Sequence, residues 1–380
     1  MTQKTGFLFI VLLMVGIGVF AGDTKSEISG QIRYRHEASD RDFIDTTGFS
    51  SMSALRSRIQ YKFDTMNGVS GLIQIQDSRN YGEETSTLTD GAADNLDFHQ
   101  AYVLISPFFY DSINLKIGRF EAAYGPQRLI GSVGWHNIGR SFDGLVFNYV
   151  NDRMSADIFN MKDGTIDVSG VYASFKVREG YKSQLFHIRD DNRSTSGLYS
   201  AGSFGNIGYE VEAATQTGEQ SSGVNYAGWL LGLNASMKMG GFKLAAGVDL
   251  ISGDDPATTD KNEMFSTLYA TNHKYYGSMD YFLNLPAHTE GLGLIDMHFK
   301  VATPGIMGFS PKVAYHIFSS HVESPSGDTD FGSELDLSVA HKLNASSKLV
   351  TGYSLFMPGS LKSSDDTMGQ WYYLMTIVNF

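Results

Sequence analysis

The chain has 380 residues, no cysteine and a formal net charge of −12, which exclude a disulfide scaffold and argue against nucleic acid as a partner. It is rich in glycine and aromatic residues, with 41 Gly, 25 Phe and 20 Tyr, and it has only 8 Pro. This composition favours strands and tight turns over helices.

The first predicted element is a signal peptide. A single positive charge, Lys4, precedes an apolar run over residues 7–20, with a cleavage point after Ala21. About 14 apolar residues are short for the roughly 20 that a helix needs to cross a bilayer, so a transmembrane anchor is the less favoured alternative. The sequence therefore predicts a cleaved signal peptide over residues 1–21 and one mature domain over residues 22–380.

The next segments alternate apolar and polar side chains at period two, which is typical of strands with two different faces. In residues 28–35, a face with Ile28 and Ile32 opposes a face with Arg33 and Arg35. A barrel strand needs only about ten such residues, so its polar half cancels its apolar half and the mean hydropathy of −0.16 decides nothing.

The same alternation recurs to the end of the chain. Residues 55–63 repeat it, and a turn at Asn67 and Gly68 leads into residues 69–76, which predicts a hairpin. Further candidate strands lie at 97–106, 111–119, 141–150, 153–161, 167–177, 180–189, 194–203, 206–217, 225–239, 241–251, 275–283, 290–302, 307–319, 329–341, 346–357 and 369–380.

These nineteen candidates predict an all-β fold, a single transmembrane antiparallel β-barrel. A closed single-chain bacterial barrel needs an even number of strands, so we predict about 18, with 16 as the fallback. A barrel of that width has an aqueous interior. The longer connections are expected to be outer loops or to fold into the lumen, and they lie near 78–96, 119–141, 252–275 and 357–369.

The last candidate strand carries a terminal aromatic residue. Tyr372, Leu374, Val378 and Phe380 share one face at period two. This resembles the closing strand of outer-membrane barrels, which the barrel assembly machinery recognises; the alternative is an ordinary terminal strand of a sandwich. We therefore expect the outer membrane of a Gram-negative bacterium, with its lipid and its assembly machinery as partners.

Two adjacent runs, Lys116–Gly131 and Trp135–Gly144, resemble the alginate export family of outer-membrane porins. Patches at 74–79, 96–102 and 272–281 agree, and the resemblance spans roughly residues 28 to 281 before continuing more weakly. It implies a monomeric eighteen-stranded barrel with an arginine-rich, constricted lumen, and a founding function in secreting an anionic polysaccharide. Phe120 departs from the glutamine that is frequent in the family, and the chain is shorter than the true alginate exporter.

The candidate pore-lining residues are mostly basic. A carboxylate that leaves bulk water must regain solvation from fixed positive charge, and the planar fork of arginine binds carboxylates in bidentate fashion. The candidates are Arg33, Arg35, Arg56, Arg58, Lys62, Arg119, Arg128 and Arg140, with Asp143 and Tyr124 from the motif. The alternative is that the arginines pair with carboxylates such as Glu121 and stiffen the wall, while Glu210, Glu212, Glu334 and Asp336 would favour cations.

No enzyme is predicted, because the sequence has no G-x-S-x-G elbow, no H-E-x-x-H pair, no phosphate loop and no cysteine. His316 lies near Ser319 and Ser320, but adjacent strand residues face opposite ways and no orienting partner is evident. The histidines, including His298, are scattered, so neither a metal site nor a cofactor is predicted.

The sequence thus predicts a passive outer-membrane diffusion channel for acidic or sugar-like solutes, or for an exported anionic polysaccharide. The alternatives are a general porin with weak selectivity and a plugged structural barrel that displays outer loops.

Overall fold

A computed structural model describes residues 24–83, 96–365 and 367–380. Eighteen long strands form one antiparallel sheet, which closes because the first strand pairs with both the second and the last. The barrel strands are β1 (Lys25–Asp40), β2 (Ser50–Asp64), β3 (Val69–Asn80), β4 (Leu96–Ile105), β5 (Ile113–Phe120), β6 (Phe142–Val150), β7 (Met154–Asp163), β8 (Ile166–Phe175), β9 (Lys182–Asp190), β10 (Arg193–Phe204), β11 (Ile207–Thr217), β14 (Trp229–Met239), β15 (Phe242–Ile251), β17 (Leu294–Ala302), β18 (Phe309–Ser319), β19 (Asp330–Lys342), β20 (Ser347–Pro358) and β21 (Gly369–Asn379). A separate small sheet contains β12 (Glu219–Ser221), β13 (Val224–Tyr226) and β16 (Lys261–Asn262).

The eighteen-stranded barrel confirms the predicted fold and strand number. Of the nineteen candidate segments, only 275–283 forms no strand; it belongs to a long connection between β15 and β17. Its alternating aromatic residues pack instead of pairing, since Tyr276 and Phe282 are buried at 1% exposure. The predicted signal peptide over residues 1–21 lies outside the described residues.

Alternation of side chains builds two different barrel faces. Ile28 on β1 and Ile59 on β2 are 65% and 50% exposed, whereas Arg33 and Arg56 are 3% and 5% exposed. The arginines contact loops inside the barrel, so their face is the inner one, and the exposed isoleucines face the surrounding lipid.

The two ends of the barrel carry different connections. The start of β1 at Lys25 and the end of β21 lie at the end with the short turns, where the Gly30 amide donates to the Phe380 carbonyl at 2.7 Å. One of these turns contains Gly68 with a φ of +82°, as the predicted turn at Asn67 and Gly68 requires. Outer-membrane barrels place short turns in the periplasm and long loops outside.

Two long connections fold into the barrel. We call residues 121–141 the first inner loop and residues 252–293 the second inner loop. They pair with each other, because Gly131 donates to the Tyr269 carbonyl at 2.8 Å and Tyr269 donates to the Leu129 carbonyl at 2.8 Å. The second contains 3₁₀ helices at Asn272–Lys274 and Ala287–Thr289. In the described part of the chain no helix is long and apolar enough to cross a membrane.

Aromatic residues fix both loops to the inner wall. Trp135 packs edge-on against Tyr373 of β21, with ring centroids 5.0 Å apart. Phe282 packs against Phe318 of β18 and Phe331 of β19, at 4.6 and 5.4 Å. These contacts hold both inner loops inside the lumen, and we call the two loops together the plug.

Candidate functional site

Four arginines form a cluster on the inner face of β1 and β2. Arg33 and Arg56 are direct partners in the strand register, and Arg58 lies opposite Gln31. Arg33, Arg35 and Arg56 are buried. The sequence predicted this inward placement from period-two alternation.

The arginine cluster binds the backbone of the first inner loop. Arg33 donates to the carbonyls of Gly134 and His136 at 2.8 and 2.9 Å, and Arg35 donates to the Trp135 carbonyl at 2.6 Å. The Arg35 guanidinium also lies over the Trp135 ring, 4.4 Å from its centroid. The guanidinium groups therefore bind partly buried loop carbonyls that have no partner from strand pairing.

The β2 arginines extend the same contact along the loop. Arg58 donates to the Ile138 carbonyl at 2.9 Å, to Gln76 at 2.6 Å and to the Glu121 carboxylate at 3.1 Å. Arg56 donates to Gln31 at 2.9 Å and more weakly to loop carbonyls. Carboxylates thus accept only some of the hydrogen bonds that the cluster donates, and backbone carbonyls of the first inner loop accept most of them.

Arg128 fixes the first inner loop to the opposite wall. Its guanidinium lies 2.8 Å from Asp249 of β15 and 3.3 Å from Glu212 of β11, and all three side chains are nearly fully buried. The Tyr275 ring lies 3.9 Å from the guanidinium carbon. A buried arginine in such a cage is a structural tether rather than a free charge in the solute path.

Two further motif residues also hold the inner loops. Arg140 donates to the carbonyls of Tyr269 and Ala270 in the second inner loop. Tyr124 stacks on Phe159 and Tyr172 of the wall, with ring centroids 5.2 and 5.0 Å apart. Both side chains therefore help to hold the first inner loop in place.

Arg119 and Asp143 lie on the outer face, so their prediction as pore-lining residues is wrong. They are register partners on β5 and β6, and their side chains bind each other at 2.8 Å. Ile117, on the same face as Arg119, is 48% exposed, whereas Phe120 on the opposite face is buried in the interior. A motif resemblance carries no information on which face a residue occupies.

Lys62 continues the inner face of β2 towards the short-turn end. It lines a cavity of about 430 Å³ together with Lys25, Glu27 and Asp64. The cavity is therefore of mixed charge.

A lysine-lined vestibule was missed by the sequence reasoning. Two neighbouring cavities of about 350 and 550 Å³ share lining residues of β15, β17 and the second inner loop. The lysines that line one or both are Lys182, Lys243, Lys274, Lys300 and Lys312. The carboxylates in the same linings are Asp336 in the smaller cavity and Glu210 in the larger. These lysines come from distant segments, so only the three-dimensional fold brings them together.

One group among the described residues has the geometry of metal ligands. Asp296 and His298 of β17 and His316 of β18 place their ligating atoms within 4.8 Å of one another. The sequence reasoning found no orienting partner for His316, but Asp296 on the neighbouring strand contacts its Nδ1 at 2.9 Å.

Acidification is expected to loosen the first inner loop at His136. The pKa of His136 is lowered by burial and then by the charges of Arg35, Arg33, Arg140 and Arg56. Its Nδ1 accepts a hydrogen bond from the Ile138 amide at 3.2 Å, which requires an unprotonated nitrogen. The folded pKa lies below the ordinary value of about 6.5, so this contribution to stability is present above about pH 6.5 and is lost as the pH falls through the folded pKa.

Hydrogen exchange of residues 134–138 between about pH 7.5 and about pH 5 measures this effect, after correction for the intrinsic pH dependence of exchange. Protection should fall in the natural chain and fall less in His136→Gln. Equal profiles for both proteins would contradict the assignment to His136.

The comparisons with known proteins agree with this architecture. Residues 25–163 match the model of the alginate export family, which confirms the resemblance over that stretch. No curated protein matches the chain. The fold is similar to OccAB4 of Acinetobacter baumannii (TM-score 0.67, 11% identity, 94% of this chain and 98% of that one). It is also similar to OccK3 (TM-score 0.68, 12% identity, 94% and 96%) and to OpdK with vanillate (0.63, 12%, 93% and 98%), both of Pseudomonas aeruginosa.

Proposed function

We propose that the chain is an outer-membrane porin of a Gram-negative bacterium, similar to the alginate export family over residues 25–163, and that it conducts small acidic solutes through its lysine-lined vestibule. The family and the fold are those of transport channels rather than enzymes. The observation that carries the proposal is the excess of lysines over carboxylates in the linings of the two vestibule cavities.

The charge balance of the vestibule favours anions. Lys243, Lys274 and Lys300 line both cavities, whereas each lining contains a single carboxylate. Low-dielectric walls concentrate the field of such a cluster and raise the local concentration of oppositely charged solute. Lysine serves as a mobile point charge, so it attracts a carboxylate without fixing its orientation.

The size of the vestibule favours small solutes over a polymer. Cavities of about 350 and 550 Å³ fall within the usual range of small-molecule sites, roughly 300–1,000 Å³. The plug, which consists of the two inner loops, narrows the lumen next to these cavities. Vanillate, which the OpdK structure contains, is a small aromatic carboxylate and a suitable test solute.

The plug also supports a second candidate function, a closed barrel that displays its outer loops. Arg128 and the arginine cluster hold the first inner loop at both sides of the lumen. A barrel that shows no conductance would favour this function, and conductance without charge preference would favour a general porin.

Reversal of two vestibule charges is expected to reverse the ion preference. In a planar bilayer with a tenfold salt gradient, perfect selectivity corresponds to about 59 mV, and the natural chain should show an anion-selective reversal potential well inside that limit. The double variant Lys300→Glu/Lys312→Glu should shift it towards cations, because both side chains line the vestibule. Vanillate and uronate oligomers added as blockers should lose potency in this variant.

The matched control is Lys162→Glu. Lys162 pairs with Asp167 near the outer rim, and both side chains are more than half exposed. Its replacement should leave the reversal potential unchanged. A cation-selective natural chain, or an equal shift in the control, would contradict an anion-conducting vestibule.

We further propose export by cleavage after Ala21, assembly by the barrel assembly machinery and a monomeric state. N-terminal sequencing of the mature protein tests the first, because cleavage there leaves Gly22 as the first residue.

A further inference from the structure

We propose that Asp296, His298 and His316 form a binding site for one divalent transition-metal ion, such as Zn²⁺, on the inner wall of the barrel. The inference is independent of the anion-conducting function. Three observations support the site: the types of ligand, the cross-strand register, and the hydrogen bonds that determine which nitrogen of one histidine carries the proton.

Register brings the three side chains to one place. His298 and His316 are direct cross-strand partners, and Asp296 precedes His298 by two residues, so all three share the inner face. The imidazole rings are 5.4 Å apart between centroids. All three residues are buried.

The distances between ligand atoms fit a common metal ion. His298 Nδ1 lies 3.3 Å from Asp296 Oδ2, and His316 Nδ1 lies 2.9 and 3.0 Å from the two Asp296 oxygens. Ligand bonds of about 2.0–2.1 Å, as Zn²⁺ makes with nitrogen, place neighbouring ligand atoms about 2.8–3.4 Å apart in octahedral or tetrahedral geometry. The contact between each histidine and the carboxylate therefore differs from this spacing by at most a few tenths of an ångström. Two histidines with one carboxylate leave further coordination positions open.

The hydrogen bonds of His298 leave a lone pair for a cation. Its Nε2 donates to Asn234 Oδ1 at 2.7 Å, which leaves Nδ1 unprotonated in the neutral ring. That nitrogen faces the Asp296 carboxylate without meeting hydrogen-bond geometry within the described residues. A lone pair and a carboxylate repel each other unless a positive charge lies between them. Asn234 takes the place of the outer partner that orients a metal-binding histidine.

The surrounding charges leave room for one more cation. Asp249 faces Asp296 across β15 and β17, and Glu334 faces His316 across β18 and β19. Arg128 is already bound to Asp249, and Lys300 adds a positive charge beside the group. Buried carboxylates in such number are stable only when paired or bound to metal.

Both histidines border open space, so an ion can reach the group. His298 lines the larger vestibule cavity and His316 lines the smaller one. The site therefore lies where the two cavities meet the wall, within reach of ions that enter the lumen.

The test uses the refolded full-length barrel. Co²⁺ is added first, because its visible absorption reports nitrogen and oxygen coordination directly in the unmodified chain. Zn²⁺ titration by calorimetry, and displacement of Co²⁺ by Zn²⁺, then give stoichiometry and affinity. We expect one ion per barrel. Absence of a saturable Co²⁺ spectrum and of Zn²⁺ binding would overturn the proposal without any variant.

Variants assign the ligands. His298→Ala and His316→Ala should each weaken Zn²⁺ binding far beyond tenfold, and Asn234→Ala, which leaves all ligands in place, should weaken it roughly tenfold or more. The control is His187→Ala, which removes a histidine that bonds Ser196 in another part of the wall. Zn²⁺ affinity that is unchanged in both ligand variants, or lost equally in the control, would show that Zn²⁺ binds elsewhere and would overturn the assignment of this group as its ligands.

Discussion

Replacing Arg128 by methionine is expected to destabilise the barrel by about 3–5 kcal/mol and to release the first inner loop from the wall. Arg128 is the shared partner of Asp249 and Glu212, both of which are buried at the wall. Methionine fills much of the same volume but leaves two buried carboxylates without a cation. Urea unfolding followed by tryptophan fluorescence measures the loss, and single-channel recordings should show larger and noisier currents.

Two further variants separate charge from packing in this prediction. Adding Asp249→Asn and Glu212→Gln to Arg128→Met removes the orphaned charges and should recover much of the stability. Arg119→Met removes an exposed arginine that pairs with Asp143 on the outer face, and should cost about 0–1 kcal/mol. A loss as small in Arg128→Met as in Arg119→Met would refute the role of Arg128 as a tether.

The double variant Arg33→Leu/Arg56→Leu is expected to free the other side of the first inner loop. The two side chains donate four hydrogen bonds to the carbonyls of Gly134 and His136. A charged donor contributes about 1.5–3 kcal/mol per bond when geometry is good, and two of these four bonds are short. Relief of repulsion between the adjacent cations offsets part of the loss. Protection of the loop against proteolysis should fall and conductance should rise several-fold.

Lys62→Leu is the matched control for this variant. Lys62 lies on the same inner face of β2, but it lines a cavity at the short-turn end. The Lys62→Leu variant should leave the proteolysis of the first inner loop and the conductance of the barrel unchanged. If the control opens the channel as far as the double variant does, the effect comes from lumenal charge and not from loop anchoring.

Alternation along the chain predicted the barrel because strand pairing follows a local pattern. The candidate 194–203 forms β10, and the neighbouring strands supply hydrogen-bonding partners on both sides. Segment 275–283 has a similar pattern but packs inside the lumen. A local pattern cannot separate these outcomes, because burial in a plug and burial in a wall select similar side chains.

The candidate site was predicted only in part. Period two placed Arg33 and Arg56 on the inner face, but their carbonyl acceptors lie at residues 134–136, far along the chain. The vestibule lysines and the Asp296 group depend on register between strands and on the course of the second inner loop. Neither the register between strands nor the course of a loop can be read from composition or from motifs. The outward position of Arg119 was predictable from its spacing to Ile117, a signal that the motif obscured.

The pairing of β1 with β21 has a consequence for the order of folding. It joins Gln31 to Asn379 and Asp40 to Gln370, so nearly the whole chain separates the partners. Contacts of such sequence separation form late, because loop closure loses entropy before pairing compensates for it. The first inner loop, whose carbonyls bind Arg33 and Arg35, must therefore enter the lumen before or while β1 pairs with β21. We therefore expect the pairing of β1 with β21 to be the slow step of assembly, and an altered inner loop to slow assembly even when the finished barrel is stable.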